Sequence, residues 1–557
     1  RGLGDVYKRQ DENDACTDKN TQRIGLRTLT VSREKDQWGE EFCFINNGVK
    51  IFAMGANYIP EDQIVTRCNE VKTRKLLADC KAANYNFIRV WGGGYYPDEY
   101  FYDYCDENGI IVWQDFMFAC SAYLLTEEFE ETVRGEVRDN VIRLRNHPSL
   151  GLWCGNNEIE SAWEYWGLPE DEEAKRDYLI IFEDIIPQVL KAYDPCENTF
   201  YWPSSPSSGG GFKDASSNHA GDMHYWDVWH NFKPIEAFRE FYYRFCSEYG
   251  FESLPDIKTC RAFADETKGD FDLCSPVMEA HQKCVQGNEK IMYYLAQMVR
   301  YPYDFKQLIY SSQLVQADCI RSNVEHMRRA RGRCMGSAYW QVNDSNPVIS
   351  WSSIDYFGRW KGLHYYAKRF YAPCLISCDD TDRKKPVLNI SNERMTAFEG
   401  IVKWTLRNNK AEILQSGEKS VSVPPLTAQN VLTIDLSDEL KNRTDPREKY
   451  LEYSIIENGK VLSFGTTLFV RPKEFTFLEP AITYGISESD DKFALTFCAE
   501  NYAKSVCLSL KTADCVFSDN WFDIHGKEPV TIMIDKASLS RKMTAQELSG
   551  ELEIMHN

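Results

Sequence analysis

The chain has 557 residues, with 64 Lys+Arg against 84 Asp+Glu and a formal net charge of −20. So acidic a chain lacks the basic footprint of a nucleic-acid binder and is repelled by anionic lipid. A hydrophobic fraction of 43% with 27% charged residues is ordinary for a globular protein and excludes wholesale disorder.

At about 150 residues per domain the length predicts three or four domains. Residues 1–40 are polar, with one strand-like piece at 26–31. The opening RGLGDVYKRQ starts with Arg, carries no apolar leader segment, and reads as sequence foreign to the protein. From residue 41 to 372, short apolar runs alternate with amphipathic stretches. The runs lie at 51–57, 87–91, 110–115, 150–155, 200–203, 222–226, 243–248 and 334–341. Between them, Phe129, Val133, Val137 and Val141 recur every four residues, and Tyr178, Phe182, Ile185, Ile186 and Val189 make a second stripe. Both stripes read as core faces of helices.

Such alternation is the signature of βα units. Eight of them predict an α/β fold, a (β/α)8 TIM barrel, whose functional residues gather where the strands end. Those ends carry Asn57, Trp91, Asp115, Asn157, Glu158, Ser204, His224, Trp226, Glu248, Trp340 and Asn343. After residue 373 the helical period fades, and 398–406 and 421–436 are strand-like. A boundary near Pro472 precedes a second β-rich stretch, 475–534. The expected domains are therefore the tail of an N-terminal immunoglobulin-like domain (1–40), the barrel (41–372) and two immunoglobulin-like β-sandwiches. The sandwiches span 373–471 and 472–557, the second expected to stop early.

The 19 cysteines are scattered from Cys16 to Cys515 without a CxxC pair. That argues against a paired-thiolate zinc site and for a reducing, cytoplasmic setting. No run of about 20 apolar residues exists, so no spanning helix and no membrane partner are expected. His219, His224 and His230 do not repeat on a helix face and no zinc motif accompanies them, so neither a metal nor a cofactor is expected. Gly92–Gly94 and Gly209–Gly211 lack the Lys-Ser/Thr of a phosphate loop and read as turns.

The strongest local signal is Trp153-Cys154-Gly155-Asn156-Asn157-Glu158, an apolar strand running into two amides and a carboxylate. The second is Ser247-Glu248-Tyr249-Gly250-Phe251. By the count of runs these end strands four and seven, so two carboxylates face one barrel mouth. Glycoside hydrolysis needs such a pair, one protonated to release the leaving oxygen and one ionised. Unequal burial and mutual repulsion would split their pKa values and assign the roles.

The segments GANYIPEDQ (55–63), IRVWGGGYYPDEYFYDYCDENGIIVWQDF (88–116), NHPSLGLWCGNNE (146–158), HYWDVWH (224–230), SEYGF (247–251) and YWQVND (339–344) resemble the β-mannosidase branch of glycoside hydrolase family 2. The resemblance covers about residues 41–375 and weakens beyond. It implies a retaining exo-enzyme acting on terminal β-mannosides of oligosaccharides or glycoconjugates. It implies Glu158 as general acid/base, Glu248 as nucleophile, and Asn157 as holder of the sugar 2-hydroxyl. It implies Trp91 and Trp340 as walls of the sugar subsite. Asp115, His224 and Trp226 match family motifs, and the resemblance implies that they contact hydroxyls or orient the nucleophile and that Trp166 shapes the neighbouring subsite. Read from the residues alone, Asp115 is instead an Arg89 ion-pair partner or a helix N-cap. Family members carry a jelly roll and an immunoglobulin-like domain before the barrel, so the chain is expected to be a fragment. The alternatives are another exo-β-glycosidase of the family (β-galactosidase, β-glucuronidase or exo-β-glucosaminidase) and an inactive sugar-binding fragment.

Overall fold

The computed structural model describes residues 5–10, 16–22, 24–167, 171–196 and 199–557. Residues 1–4 of the opening segment lie outside that set. Each of the eight apolar runs overlaps one strand of a single sheet. They are β1 (Ala53–Tyr58), β2 (Phe87–Val90), β3 (Ile111–Asp115), β4 (Leu150–Cys154), β5 (Tyr201–Trp202), β6 (Met223–His224), β7 (Cys246–Glu248) and β8 (Gly336–Tyr339). Their hydrogen-bonded order is β5-β4-β3-β2-β1-β8-β7-β6, with every pair parallel. Neighbours in sequence are neighbours in space, and β8 lies beside β1, as ring closure requires. No ladder joins β5 to β6 among the described residues. That seam is spanned by a Ser207–Asp222 bridge and by bonds from Trp202 and Ser205 to the Asp222 carboxylate.

Six of the strands, β1–β4, β7 and β8, are buried on both faces, and so the sequence shows apolar runs there without inside–outside alternation. Helices follow in turn: α1 (Glu70–Ala82), α2 (Glu99–Asn108) and α3 (Glu127–Leu144). Asn69 and Thr126 accept backbone N–H groups at the starts of α1 and α3, and Gly109 ends α2 at φ 66. Val133, Val137 and Val141 are buried on one face of α3. The second stripe is buried too, but its helix is not uniform. A π-helical segment, Ile180–Ile185, separates the α-helical Glu172–Leu179 and Ile186–Tyr193.

A hairpin of Leu29–Ser32 with Cys43–Asn46 straddles the 40/41 boundary, the expected start of the barrel. The connection between its strands carries Phe42, and Phe44 lies in the second strand. Both rings enter the N-terminal end of the barrel. The Phe42 centroid lies 4.9 Å from Trp202, 5.6 Å from Phe245 and 5.8 Å from Trp113, and Phe44 lies 5.6 Å from Phe87. They join one core with Ala53, Ile111, Leu152 and Ala338. β8 opens with glycine because a Cβ on Gly336 would stand 2.0 Å from the Phe245 ring. Further upstream Asp5–Gln10 and Cys16–Gln22 pair antiparallel, two strands that the polar sequence does not announce.

The chain divides into two compact units. The first comprises Arg1–Trp226, Phe241–Tyr249 and Gly332–Tyr339, and holds all eight barrel strands. The second comprises Asp227–Glu240, Gly250–Arg331 and Trp340–Asn557. It holds the helices Phe305–Arg329 and Gly362–Phe370 and two sandwiches. In the first sandwich, strands Cys374–Asp379, Val387–Asn392 and Thr427–Thr433 form one sheet. Phe398–Asn408, Ile413–Val423, Lys449–Glu457 and Lys460–Leu468 form the other. Ile376, Leu388, Ile390, Phe398, Leu406 and Leu451 fill the space between them. In the second sandwich, Thr483–Glu488, Lys492–Cys498 and Val530–Asp535 form one sheet, and Tyr502–Leu510, Phe522–His525 and Leu552–Met555 the other. The fold class is a (β/α)8 TIM barrel followed by immunoglobulin-like sandwiches.

Candidate active site

Past the end of β4 the chain runs through Gly155, Asn156 and Asn157 to Glu158, where α4 (Ile159–Tyr165) begins. Asn156 Oδ1 accepts from the Ile159 N–H at 3.1 Å and from Ser204 Oγ at 2.7 Å, and its Nδ2 donates to the Pro203 carbonyl at 3.0 Å. It therefore caps α4 and ties the turn to the end of β5. The Asn157 N–H donates to the Phe118 carbonyl at 2.9 Å, and the Glu158 N–H to the Ser205 carbonyl at 2.8 Å. Held from both sides, Glu158 adopts φ 62 and ψ 10. That left-handed conformation costs a residue with a Cβ about 1–2 kcal/mol, strain of the sort that collects at functional sites.

A buried cation organises the floor. Arg89, from β2, donates through Nη1 to Glu248 Oε1 at 2.6 Å and to Asn57 Oδ1 at 2.9 Å. Through Nη2 it donates to Asp115 Oδ2 at 2.8 Å and to Asn157 Oδ1 at 2.7 Å. Asp115, the last residue of β3, accepts further from Trp113 Nε1 at 2.8 Å and from the Gly92 N–H at 3.0 Å. Both its oxygens are engaged, so the structure places it as the ion-pair partner of Arg89. Burial works against the charge on Arg89, but the Asp115 and Glu248 carboxylates more than restore it and hold its pKa above the ordinary value.

Glu248, the last residue of β7, meets Glu158 over His224, the last residue of β6. His224 Nδ1 lies 2.7 Å from Glu158 Oε1 and 3.3 Å from Glu248 Oε2. This nitrogen and one oxygen from each carboxylate all lie within 4.8 Å of one another. Burial pushes the Glu158 carboxyl up to about 7, with Arg89 pulling the other way. Burial also raises Glu248, opposed by His224 and Arg89 and reinforced by the Glu158 charge. Burial takes His224 down to about 4, so its imidazole is neutral at neutral pH. Arg89 is bonded to Glu248, whereas Glu158 is bonded to His224 and approached by the Cys120 thiol at 3.7 Å. The first ionisation of the pair therefore belongs to Glu248, and the proton stays with Glu158. Burial raises the Cys120 thiol to about 12, which keeps it protonated beside the acid.

Of the residues singled out from the sequence, Asn157, Glu158, Asp115, His224 and Glu248 come together in this cluster. Trp91 follows β2, half-buried, with its N–H bonded to the Tyr58 carbonyl at 3.1 Å. Its ring covers Gly93, where a Cβ would stand 1.9 Å from the indole. Trp226 is half-buried two residues beyond His224. Trp166 ends α4 and is 51% exposed. Trp340, half-buried, and Asn343, buried, belong to the second compact unit. Sequence reasoning missed Arg89 as the hub, and it missed Cys120, Ser205, Asp222 and Ser247. The available signal for Arg89 was a lone cation inside the apolar run 87–91, which has to be paired once the strand is buried.

Two clusters of described residues bring histidine and acid atoms within 4.8 Å: Glu158–His224–Glu248 and Asp103–Asp106–His147. In each, one His–carboxylate contact is 2.7 Å. Two ligands bound at about 2.0–2.1 Å around a tetrahedral zinc stand farther apart than that. The contacts are hydrogen bonds, and the donor sets fit proton sharing.

Residues 385–474 match a family model described as a Mannosidase Ig/CBM-like domain, and residues 477–557 one described as an Ig-fold domain. Among curated relatives, β-mannosidase B of Aspergillus terreus is 31% identical over 96% of this chain and 66% of its own. That of Aspergillus clavatus is 32% identical over 93% of this chain and 63% of its own. The chain thus spans about two-thirds of the length of these relatives. Among solved structures, the β-D-mannosidase of Dictyoglomus thermophilum is 30% identical with a TM-score of 0.89, covering 100% of this chain and 67% of that one. An exo-chitosanase of Amycolatopsis orientalis, 16% identical with a TM-score of 0.73 over 98% of this chain and 67% of its own, shares the fold alone. With six ordered motifs, the barrel and sandwich architecture and these relatives agreeing, the chain belongs to the β-mannosidase branch of glycoside hydrolase family 2.

Proposed function

We propose that the protein removes terminal β-D-mannose residues from oligosaccharides or glycoconjugates with retention of configuration. The observation that carries this reading is the carboxylate pair, with oxygens of Glu158 and Glu248 no more than 4.8 Å apart. Retaining enzymes hold their carboxyl groups about 5–5.5 Å apart, and inverting ones leave a wider gap for water. Glu248, ionised against Arg89, attacks the anomeric carbon. Glu158 gives its proton to the departing oxygen, then takes one from the water that releases the sugar. Asn157 binds the 2-hydroxyl, Trp91 walls the terminal-sugar subsite, Trp226 contacts hydroxyls or orients the nucleophile, and Trp166 lines the neighbouring subsite. The relatives named β-mannosidase support mannose as the sugar, and the scattered cysteines support a cytoplasmic setting.

The test is hydrolysis of an aryl β-mannoside beside the β-galactoside, β-glucoside and β-glucuronide, with NMR of the first-formed anomer. Preferred turnover of the mannoside to β-mannose is expected. A better rate on another sugar would move the protein to a different specificity in the family, and α-mannose as first product would exclude retention.

A further inference from the structure

Asp222 is fully buried and accepts four hydrogen bonds. Its Oδ1 takes them from Trp202 Nε1 at 2.7 Å and from the Ser207 N–H at 3.0 Å. Its Oδ2 takes them from the Ser205 hydroxyl at 2.6 Å and from the Ser247 hydroxyl. A hydroxyl has one proton to give, and that of Ser205 goes to this carboxylate, the stronger acceptor. Ser205 Oγ also lies 3.0 Å from His224 Nε2. With its proton committed, Oγ accepts, and Nε2 carries the hydrogen. A neutral imidazole has only one N–H, so Nδ1 is left with a lone pair. Nδ1 stands 2.7 Å from Glu158 Oε1, and two bare lone pairs do not approach so closely. A proton lies between them, and it belongs to the carboxyl.

We infer that Asp222 and Ser205 are positioning residues which fix the tautomer of His224, so that its Nδ1 receives the Glu158 O–H and holds the general acid protonated before substrate arrives. The inference rests on Glu158 being the acid/base of the proposed reaction. The burial-driven values, about 7 for Glu158 and about 4 for His224, place the shared proton on the same side. The other ionisable groups facing the pair are Arg89, Glu248 and Cys120. None of them reaches Nε2, and Ser205 is therefore the lever on the tautomer. In the opposite tautomer Nε2 is a bare acceptor that draws the Ser205 O–H hydrogen bond to itself and leaves Asp222 one donor short. On catalysis the Glu158 proton leaves Nδ1 for the glycosidic oxygen as the C–O bond breaks, and the sugar passes to Glu248.

The experiment is Ser205→Ala in the full chain, assayed on two aryl β-glycosides of the accepted sugar. Dinitrophenolate departs without a proton, whereas phenolate needs one. A net hydrogen bond is worth about a factor of ten, so kcat/KM on the phenyl substrate should fall about tenfold while the dinitrophenyl substrate stays within about threefold. The basic limb of the pH profile should move to lower pH, and Ser205→Thr, which keeps the hydroxyl, should restore both. Nitrogen-15 NMR of His224 in the parent protein should show the Nε2–H tautomer. An Nδ1–H signature, or equal losses on the two substrates, overturns the inference whatever the fate of the variants. Undiminished phenyl-glycoside turnover by Glu158→Ala would instead refute the acid/base assignment beneath it.

Discussion

Replacing Glu158 by Gln should abolish catalysis and make the protein more stable, but only above a definite pH. The carboxyl is 14% exposed and burial holds its pKa at about 7, against 4.5 for the free side chain. The difference of about 2.5 units corresponds to about 3 kcal/mol at 1.36 kcal/mol per unit. Because the folded value is the higher, the native state holds the proton more tightly. The stabilisation this gives is complete below about pH 4.5, declines as pH rises, and is gone above about pH 7. The native state then carries a desolvated carboxylate that Gln, an uncharged isostere, does not have. Glu158→Gln should therefore match the parent at pH 4.5 and exceed it by about 3 kcal/mol at pH 8.5. At about 2.1 cal/mol/K per residue, a chain of 557 residues should show a Tm about 3 °C higher at the upper pH. Differential scanning calorimetry at both pH values measures this directly. An equal gain at the two pH values, or a loss at pH 8.5, would show that the buried carboxyl is not held protonated.

Four further outcomes are expected from the same structure. The profile of kcat/KM should fall above about pH 7 as Glu158 loses its proton and fall again in acid as Glu248 gains one; a flat profile from pH 5 to 9 would contradict the assignment. Arg89→Met leaves Asp115 and Glu248 buried without their cation and should cost about 3–5 kcal/mol in urea denaturation; a cost under 1 kcal/mol would mean the cluster rearranges freely. His147 is opposed by burial but held between Asp106 at 2.7 Å and Glu99 at 3.0 Å, which raise its pKa. Its contribution is present below the ordinary histidine value and lost as pH rises through the raised one, so His147→Gln should lower Tm more at pH 6 than at pH 9. Phe42→Ala should cost about 3–5 kcal/mol by opening a cavity at the barrel end, read as a drop in the urea midpoint.

The barrel was legible because parallel strands covered on both faces are spelled as continuous apolar runs, and all eight announced themselves that way. The carboxylate pair was legible because the fold places polar groups at strand ends, where Glu158 and Glu248 break apolar runs. What stayed hidden was what depends on partners far apart in sequence. Arg89 looks like one cation in FIRVW until Asn57, Asp115, Asn157 and Glu248 are seen around it. Asp222 looks like the start of a strand until four donors converge on it. The pairing of Leu29–Ser32 with Cys43–Asn46 across the expected 40/41 boundary was not legible, because EEFCFINN reads as the outset of a new domain and not as the second half of a hairpin. Trp340 and Asn343 read as strand-end companions of the rest, and by compactness they belong with the second unit.

That hairpin works as a stopper. A ring of eight strands has two open ends, and here one is closed by aromatic side chains that the chain supplies before its first barrel strand. The rings of Phe42 and Phe44 are 0% exposed, and removing them would leave Trp113, Trp202 and Phe245 facing water. Any shorter piece of this protein intended to carry the chemistry must therefore begin upstream of Leu29. A cut at residue 40 or 41 would look clean on a domain map and would keep both rings, but it would strip the strand that carries Phe44 of its partner Leu29–Ser32 and take Leu29 and Val31 out of the same core.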